Sequence, residues 1–215
     1  MSQTANAGLI WSVAELLRGD YKQSEYGKVV LPFTLLKRLD GVLAPTKEKV
    51  LAEYEKRKDS GLEPGLFLTR AAGFSFYNTS KFDFDKLLAD SSQIKANLLD
   101  YITGFSPNTL DIFERYDFAN QIARLDEADL LYQIVGKFAA IDLSPQTVSN
   151  TDMGLMFEEL IRRFAELSNE TAGEHYTPRE VIRLMVDLLF DVDNEALSKP
   201  GIVRSIYDPA AGTGG

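Results

Sequence analysis

The residues best equipped for chemistry are Asp208-Pro209-Ala210-Ala211-Gly212-Thr213-Gly214-Gly215. They follow Ile202-Val203-Arg204-Ser205-Ile206-Tyr207, a β-branched, mostly apolar run that predicts a buried strand. A strand, an acidic residue at its carboxyl end and a glycine-rich turn open a doubly wound nucleotide-binding sheet, in which ligands bind outside the carboxyl ends of the strands. Glycines let the backbone approach such a ligand closely. A phosphate-binding P-loop would need Lys followed by Ser or Thr after its glycines, and none follows here. A nicotinamide dinucleotide site would want a third glycine beyond Gly215, so that alternative stays open at this point. Asp208 would repel a pyrophosphate; it suits a cationic group such as the ammonium of a methionine moiety. About thirty residues earlier, Thr177-Pro178-Arg179-Glu180 reads as a helix start, with Thr177 at N-cap, Pro178 at N1 and Glu180 closing a capping box. The unpaired amides and positive dipole end of that start favour an anion.

The elements that must position these residues are mostly helical. Leu9, Ile10, Val13, Leu16 and Leu17 recur at helical spacing and Gly19 stands where that helix stops. A second helix is predicted from near Ser24, with Val29, Val30, Phe33, Leu36 and Leu39 on its apolar side and a kink or break at Pro32. Thr46 to Lys58 is a charged helix with a thin stripe of Val50, Leu51 and Tyr54. Leu66-Phe67-Leu68 and Phe74-Ser75-Phe76-Tyr77, set among glycines and Pro64, read as short strands or an extended loop. Helical periodicity returns through Ile94, Leu98, Tyr101 and Ile102, then Ile112, Phe113, Phe118 and Ile122, then Leu130, Leu131, Ile134, Val135 and Phe138. The polar stretch Asp142 to Asn150 is the candidate domain boundary. Beyond it Met153, Met156, Phe157, Leu160, Ile161 and Phe164 line one face of a helix.

Composition narrows the classes further. No apolar run is long enough to span a bilayer, and Met1 to Gly8 lacks the character of a signal peptide, so a cytoplasmic protein is expected. The absence of cysteine excludes disulfides, thiolate metal sites and a cysteine nucleophile. A net charge of −9 means that any contact with DNA is local or relies on a partner for basic surface.

Asp208 to Gly215 resembles the first motif of the gamma-class DNA adenine-N6 methyltransferases. Gly173-Glu174-His175-Tyr176-Thr177-Pro178-Arg179 resembles their other cofactor motif, in the order and spacing that family uses. The helical opening near Leu9-Ile10-Trp11 is similar to that of modification subunits of type I restriction-modification systems. The resemblance implies a mainly α N-terminal helical domain, residues 1–145, followed by the start of an α/β doubly wound (Rossmann-like) S-adenosylmethionine-dependent methyltransferase domain, residues 146–215. It implies S-adenosylmethionine as cofactor, bound by Glu174, His175, Tyr176, Thr177, Pro178, Arg179, Asp208, Gly212, Thr213, Gly214 and Gly215. Thr177 and the helix amides would meet the carboxylate, Asp208 the amino group, the glycines the sulfonium and ribose, and Tyr176 would form an aromatic wall.

The implied partners are double-stranded DNA, a specificity subunit, a second modification subunit and a restriction subunit, with no membrane. The family's catalytic motif, Asn-Pro-Pro and an aromatic, which holds the flipped adenine, is absent from the sequence. The expectation is therefore a catalytically inactive piece of a longer subunit, with no catalytic residue of its own. Two alternatives are a single-chain gamma-class methyltransferase and a helical assembly or DNA-clamping module that binds no cofactor. His175, with no second imidazole or cysteine near it in sequence, is expected to hold no metal. Trp11 and the other aromatics are expected in the core. Lys22, Lys28, Lys37 and Arg38 are expected as a solvated helix surface rather than a basic face toward DNA.

Overall fold

The computed structural model describes residues 3–59, 63–167 and 179–210. They form two compact units that divide between Phe164 and Ala165, and the described residues are helical with no strand.

The first unit is a bundle of ten helices among the described residues. Helix α1 (Gln3–Leu16) buries Ile10, Val13 and Ala14, and Leu17 follows them inside, the spacing of one helix face. Gly19 then turns the chain at φ 103°, in the left-handed region that glycine enters without a Cβ clash. The central helix is α2 (Tyr26–Leu43). It opens at Tyr26 rather than behind a Ser24 cap, because Ser24 lies in a preceding 3₁₀ turn (Gln23–Glu25). The Lys22 amide closes that turn on Glu25 Oε2 at 3.1 Å. Pro32 neither ends nor interrupts α2. The missing N–H costs one bond to the carbonyl of Lys28, an exposed residue, while Val29, Val30, Phe33 and Leu36 on either side are completely buried.

Helix α3 (Lys47–Arg57) buries Val50 and packs along α4 (Gly65–Ala72). The stretch Leu66-Phe67-Leu68 is thus helical, where a strand or loop was expected. Leu68 and Ala72, four residues apart, share the buried side, and that packing overrides the strand-like composition. Phe74 to Tyr77 has no regular structure, as the loop reading allowed. Short α5 (Phe84–Leu88) is capped by Asp83, whose side chain accepts the Lys86 amide at 2.8 Å. There follow α6 (Ile94–Thr103), α7 (Pro107–Arg115), α8 (Phe118–Glu127), α9 (Leu131–Ala139) and α10 (Asn150–Leu167).

A run of ring contacts threads the core: Tyr101 to Phe105 at 5.5 Å, Phe105 to Phe113 at 5.6 Å, and Phe113 to Phe118 at 5.7 Å. It continues from Phe118 to Phe33 at 4.9 Å and from Phe33 to Phe138 at 5.4 Å. Five helices meet on these rings, each pair adding to plain area burial. Trp11 is half-buried at the edge, stacked on Phe164 at 5.4 Å.

The second unit holds α11 (Arg179–Asp191) and a single turn, α12 (Asn194–Leu197). Residues 202–208, expected to hold a buried strand, carry no strand or bridge here. Val203 is 85% exposed and Tyr207 87%. A strand of a parallel sheet is defined by ladder partners on its flanks, and the described residues include none.

Candidate functional site

Of the eleven residues assigned to a cofactor from sequence, two lie among the described residues. Arg179 is the first described residue of α11, and Glu180, expected to close the capping box, lies in its first turn. Asp208 follows the apolar run 202–207 and is exposed. Glu174, His175, Tyr176, Thr177, Pro178, Gly212, Thr213, Gly214 and Gly215 lie outside the described residues.

Asp208 Oδ1 accepts the Ala210 amide at 2.8 Å, the hydrogen bond of an Asx turn. This leaves the rest of the carboxylate open to solvent, the chemistry required to receive an ammonium group. Behind it, Arg204 is tied to Asp193 at 2.6 Å. The bond from Arg204 holds the Asp193 carboxyl below its ordinary value, and Asp193 raises Arg204 in turn. Both side chains are well exposed, so the pair contributes little to stability.

The first unit contains a polar cluster that the sequence did not reveal. Tyr101 of α6 donates to Asp40 Oδ1 of α2 at 2.7 Å. Lys37 Nζ lies 3.7 Å from Asp40 Oδ2 and 4.7 Å above the Phe84 ring. Lys47 donates to the Phe82 carbonyl and sits 4.9 Å above the Tyr101 ring. Burial pushes the Asp40 carboxyl up, against the lowering effects of Tyr101 and the two lysines. Burial likewise lowers Lys47 and pushes the Tyr101 phenol well up. The cluster joins α2, α3 and α6 to the loop before α5.

Arg38, expected on a solvated surface, is instead buried and hydrogen-bonded to three oxygens. Its signal was present in the sequence: Val30, Thr34 and Arg38 follow one another at intervals of four, one row of a helix. Thr34 Oγ1 shares that buried row, donating to the Val30 carbonyl at 2.7 Å. No cluster of three or more metal-ligating side chains occurs among the described residues, and no described helix is long and apolar enough to cross a membrane.

A ten-helix unit followed by a segment whose acidic turn ends an apolar run is a class of arrangement that comparison with known proteins makes specific. Residues 7–138, more than half of the chain, match the HsdM N-terminal domain, and the chain belongs to that family. Residues 148–215 match the N-6 DNA Methylase family. The methylase subunit of the type I restriction enzyme MjaIX from Methanocaldococcus jannaschii is 25% identical over 222 residues, covering 96% of this chain and 37% of its own length. The EcoEI methylase subunit of Escherichia coli is 34% identical over 98 residues, 46% of this chain and 18% of the relative. The EcoKI methylase subunit of Escherichia coli K12 is 36% identical over 67 residues, 31% of this chain and 11% of the relative. The chain therefore spans little more than a third of the length of the first of these relatives and less of the others. These likenesses bear out the resemblance read from the sequence.

Proposed function

We propose that this chain forms part of the modification subunit of a type I restriction-modification system, which transfers a methyl group from S-adenosylmethionine to adenine N6 in double-stranded DNA. The observation that carries the reading is the order of the two family matches along one chain, helical domain first and methylase second. On this reading residues 1–145 form the helical domain and residues 146–215 begin a doubly wound methyltransferase domain. Residues 202–207 become a strand of its sheet when neighbouring strands cover them.

The residues fit the cofactor in kind. Asp208 offers an exposed carboxylate for the ammonium group. Thr177 and the amides at the start of α11 offer donors for the carboxylate, with Glu174, His175, Tyr176, Pro178 and Arg179 closing the loop around it. Gly212, Thr213, Gly214 and Gly215 let the backbone pass beside the sulfonium and ribose. S-adenosylmethionine supplies an electrophilic methyl group; the chain's own residues bind and orient it by its two charged ends. Holding a zwitterion between opposite charges fixes both its position and its direction. The subunit works in the cytoplasm with a specificity subunit, a second modification subunit and a restriction subunit. Those partners supply the positive surface for DNA that this chain, at −9, does not.

Calorimetric titration of S-adenosylmethionine into the full-length subunit tests this. Saturable binding that weakens by about 100-fold in Asp208→Ala supports it, since a charge-assisted contact contributes roughly 1.5–3 kcal/mol. Absence of binding, alone and with partner subunit and DNA, sinks it.

A further inference from the structure

Among the described residues Arg38 is the only charged one that is buried, at 6% exposure. Its three partners are all oxygens, and none is a carboxylate. Nη1 donates to the carbonyls of Leu143 at 2.6 Å and Val148 at 2.7 Å, and Nη2 donates to Asn150 Oδ1 at 2.6 Å. All three lie more than a hundred residues away in sequence, within one short segment. A planar guanidinium, with donors fixed in a fork, can span both ends of that segment at once.

The segment is built to receive it. Asp142 accepts the Ser144 amide at 2.9 Å and the Thr147 hydroxyl at 2.5 Å. The Ser144 carbonyl accepts the amides of Thr147 and Val148 at 3.1 and 2.9 Å. Leu143 and Val148 are buried, and Ser149 Oγ accepts the Asp152 amide at 3.1 Å, capping α10. From the α2 side, a Cβ at Gly41 would stand 2.9 Å from Ser144 Cα and 3.1 Å from its nitrogen. Helix and loop therefore touch backbone to backbone, one turn on from Arg38. Past the loop, Met153, Met156, Leu160 and Phe164 of α10 are buried in the same unit.

These contacts coincide with the junction of the two family matches, which end at 138 and resume at 148. Arg38 belongs to the first, Leu143 to the interval, and Val148 and Asn150 to the second. A flexible linker would carry few bonds to the body of a domain; this interval is bonded at both ends.

We propose that Arg38 is a positioning residue that latches residues 143–150 onto α2, so that the methylase-matching segment starts as part of the helical core. Opening the latch releases the start of α10 while the other helices stay folded. A buried arginine could instead be one more contact in a single cooperative core. The two differ in where the structure opens: all three partners of Arg38 lie in one segment, so its loss acts there first. The relevance to methyl transfer rests on the proposed function; the latch itself does not.

Hydrogen exchange of the full-length subunit, read by mass spectrometry, tests the latch. In Arg38→Met, amides of residues 143–156 should exchange about 100-fold faster while those of α8 and α9 change little, as expected for local loss of charge-assisted hydrogen bonds. Asn150→Ala should give the same local pattern at about 10-fold, and Gly41→Ala should reproduce it from the opposite side. These two decide the matter should Arg38→Met not fold. Acceleration spread evenly over α1, α2, α8 and α9, or none in 143–156, overturns the proposal. Titrating S-adenosylmethionine into the parent subunit, alone and with partner subunit and DNA, keeps the readings apart: local opening in the variants without cofactor binding by the parent leaves the latch standing and removes the methyltransferase assignment.

Discussion

Phe33 and Leu188 belong to the same kind of sequence pattern and meet opposite fates. Both lie in helices whose apolar residues recur three and four apart. In α2 that row is buried, and Phe33 touches the rings of Phe118 and Phe138. In α11 the row Val181, Leu184, Met185, Leu188 and Leu189 is exposed, Leu188 at 67%. Periodicity therefore reports which face of a helix is suited to burial; the presence of a covering surface is a separate fact. The first unit supplies that surface from its own helices. The second presents exposed apolar residues on both α11 and the run 202–207.

The comparison breaks most readily at its two ends. Phe33→Ala should destabilise the first unit by about 3–5 kcal/mol, the range for removing a buried aromatic ring, seen as a large fall in its thermal midpoint. A loss below about 1 kcal/mol would mean that the ring series is not the core it resembles. Gly104→Ala comes next. A Cβ there would stand 2.7 Å from the Ser80 nitrogen and 2.8 Å from Asn78 Oδ1, so overpacking should cost roughly 1–3 kcal/mol in chemical denaturation. At the other end, Leu188→Lys should leave the denaturation of the first unit within about 0.5 kcal/mol of the parent. A larger effect would show that the α11 face is covered in solution and would collapse the contrast.

A pH series sharpens the comparison from inside the first unit. Burial holds the folded Asp40 carboxyl above its ordinary value. Over the interval between the two values the folded state keeps a proton that the unfolded state has released. Asp40's contribution is thus fully present below the ordinary carboxylate range and declines as pH rises towards the folded value. Asp40→Asn removes the decline and keeps an acceptor for Tyr101. Its stability relative to the parent should therefore rise with pH across that window, and a flat difference would refute the assignment. Measuring the difference cancels carboxyls held low, such as Asp142 and Glu25.

Much of the fold was legible because local rules and tertiary packing agreed. The rows through Ile10 and Val13, through Val29 and Phe33, and through Ile134 and Phe138 are helical and buried as their spacing implied. Leu66-Phe67-Leu68 misled because three apolar residues suit either strand or helix, and contact with α3 decided. Pro32 did not break α2, because the proline removes one hydrogen bond whereas the buried residues around it make many contacts. Arg38 was misjudged because a guanidinium is placed at the surface by default, and its partners lie over a hundred residues away.

The sequence by itself determined the order of the parts, the amphipathic faces and the acidic, glycine-rich motif that begins at Asp208, since these depend on neighbours within a few residues. It also determined membership of a family, because motif order is a property of the string. Only the tertiary structure decided that Asp40, Tyr101 and Lys47 share one cluster, that Arg38 binds the loop before α10, and that residues 202–207 lie exposed. Each of these depends on groups far apart in the chain, or on ladder partners, and periodicity carries no information about either.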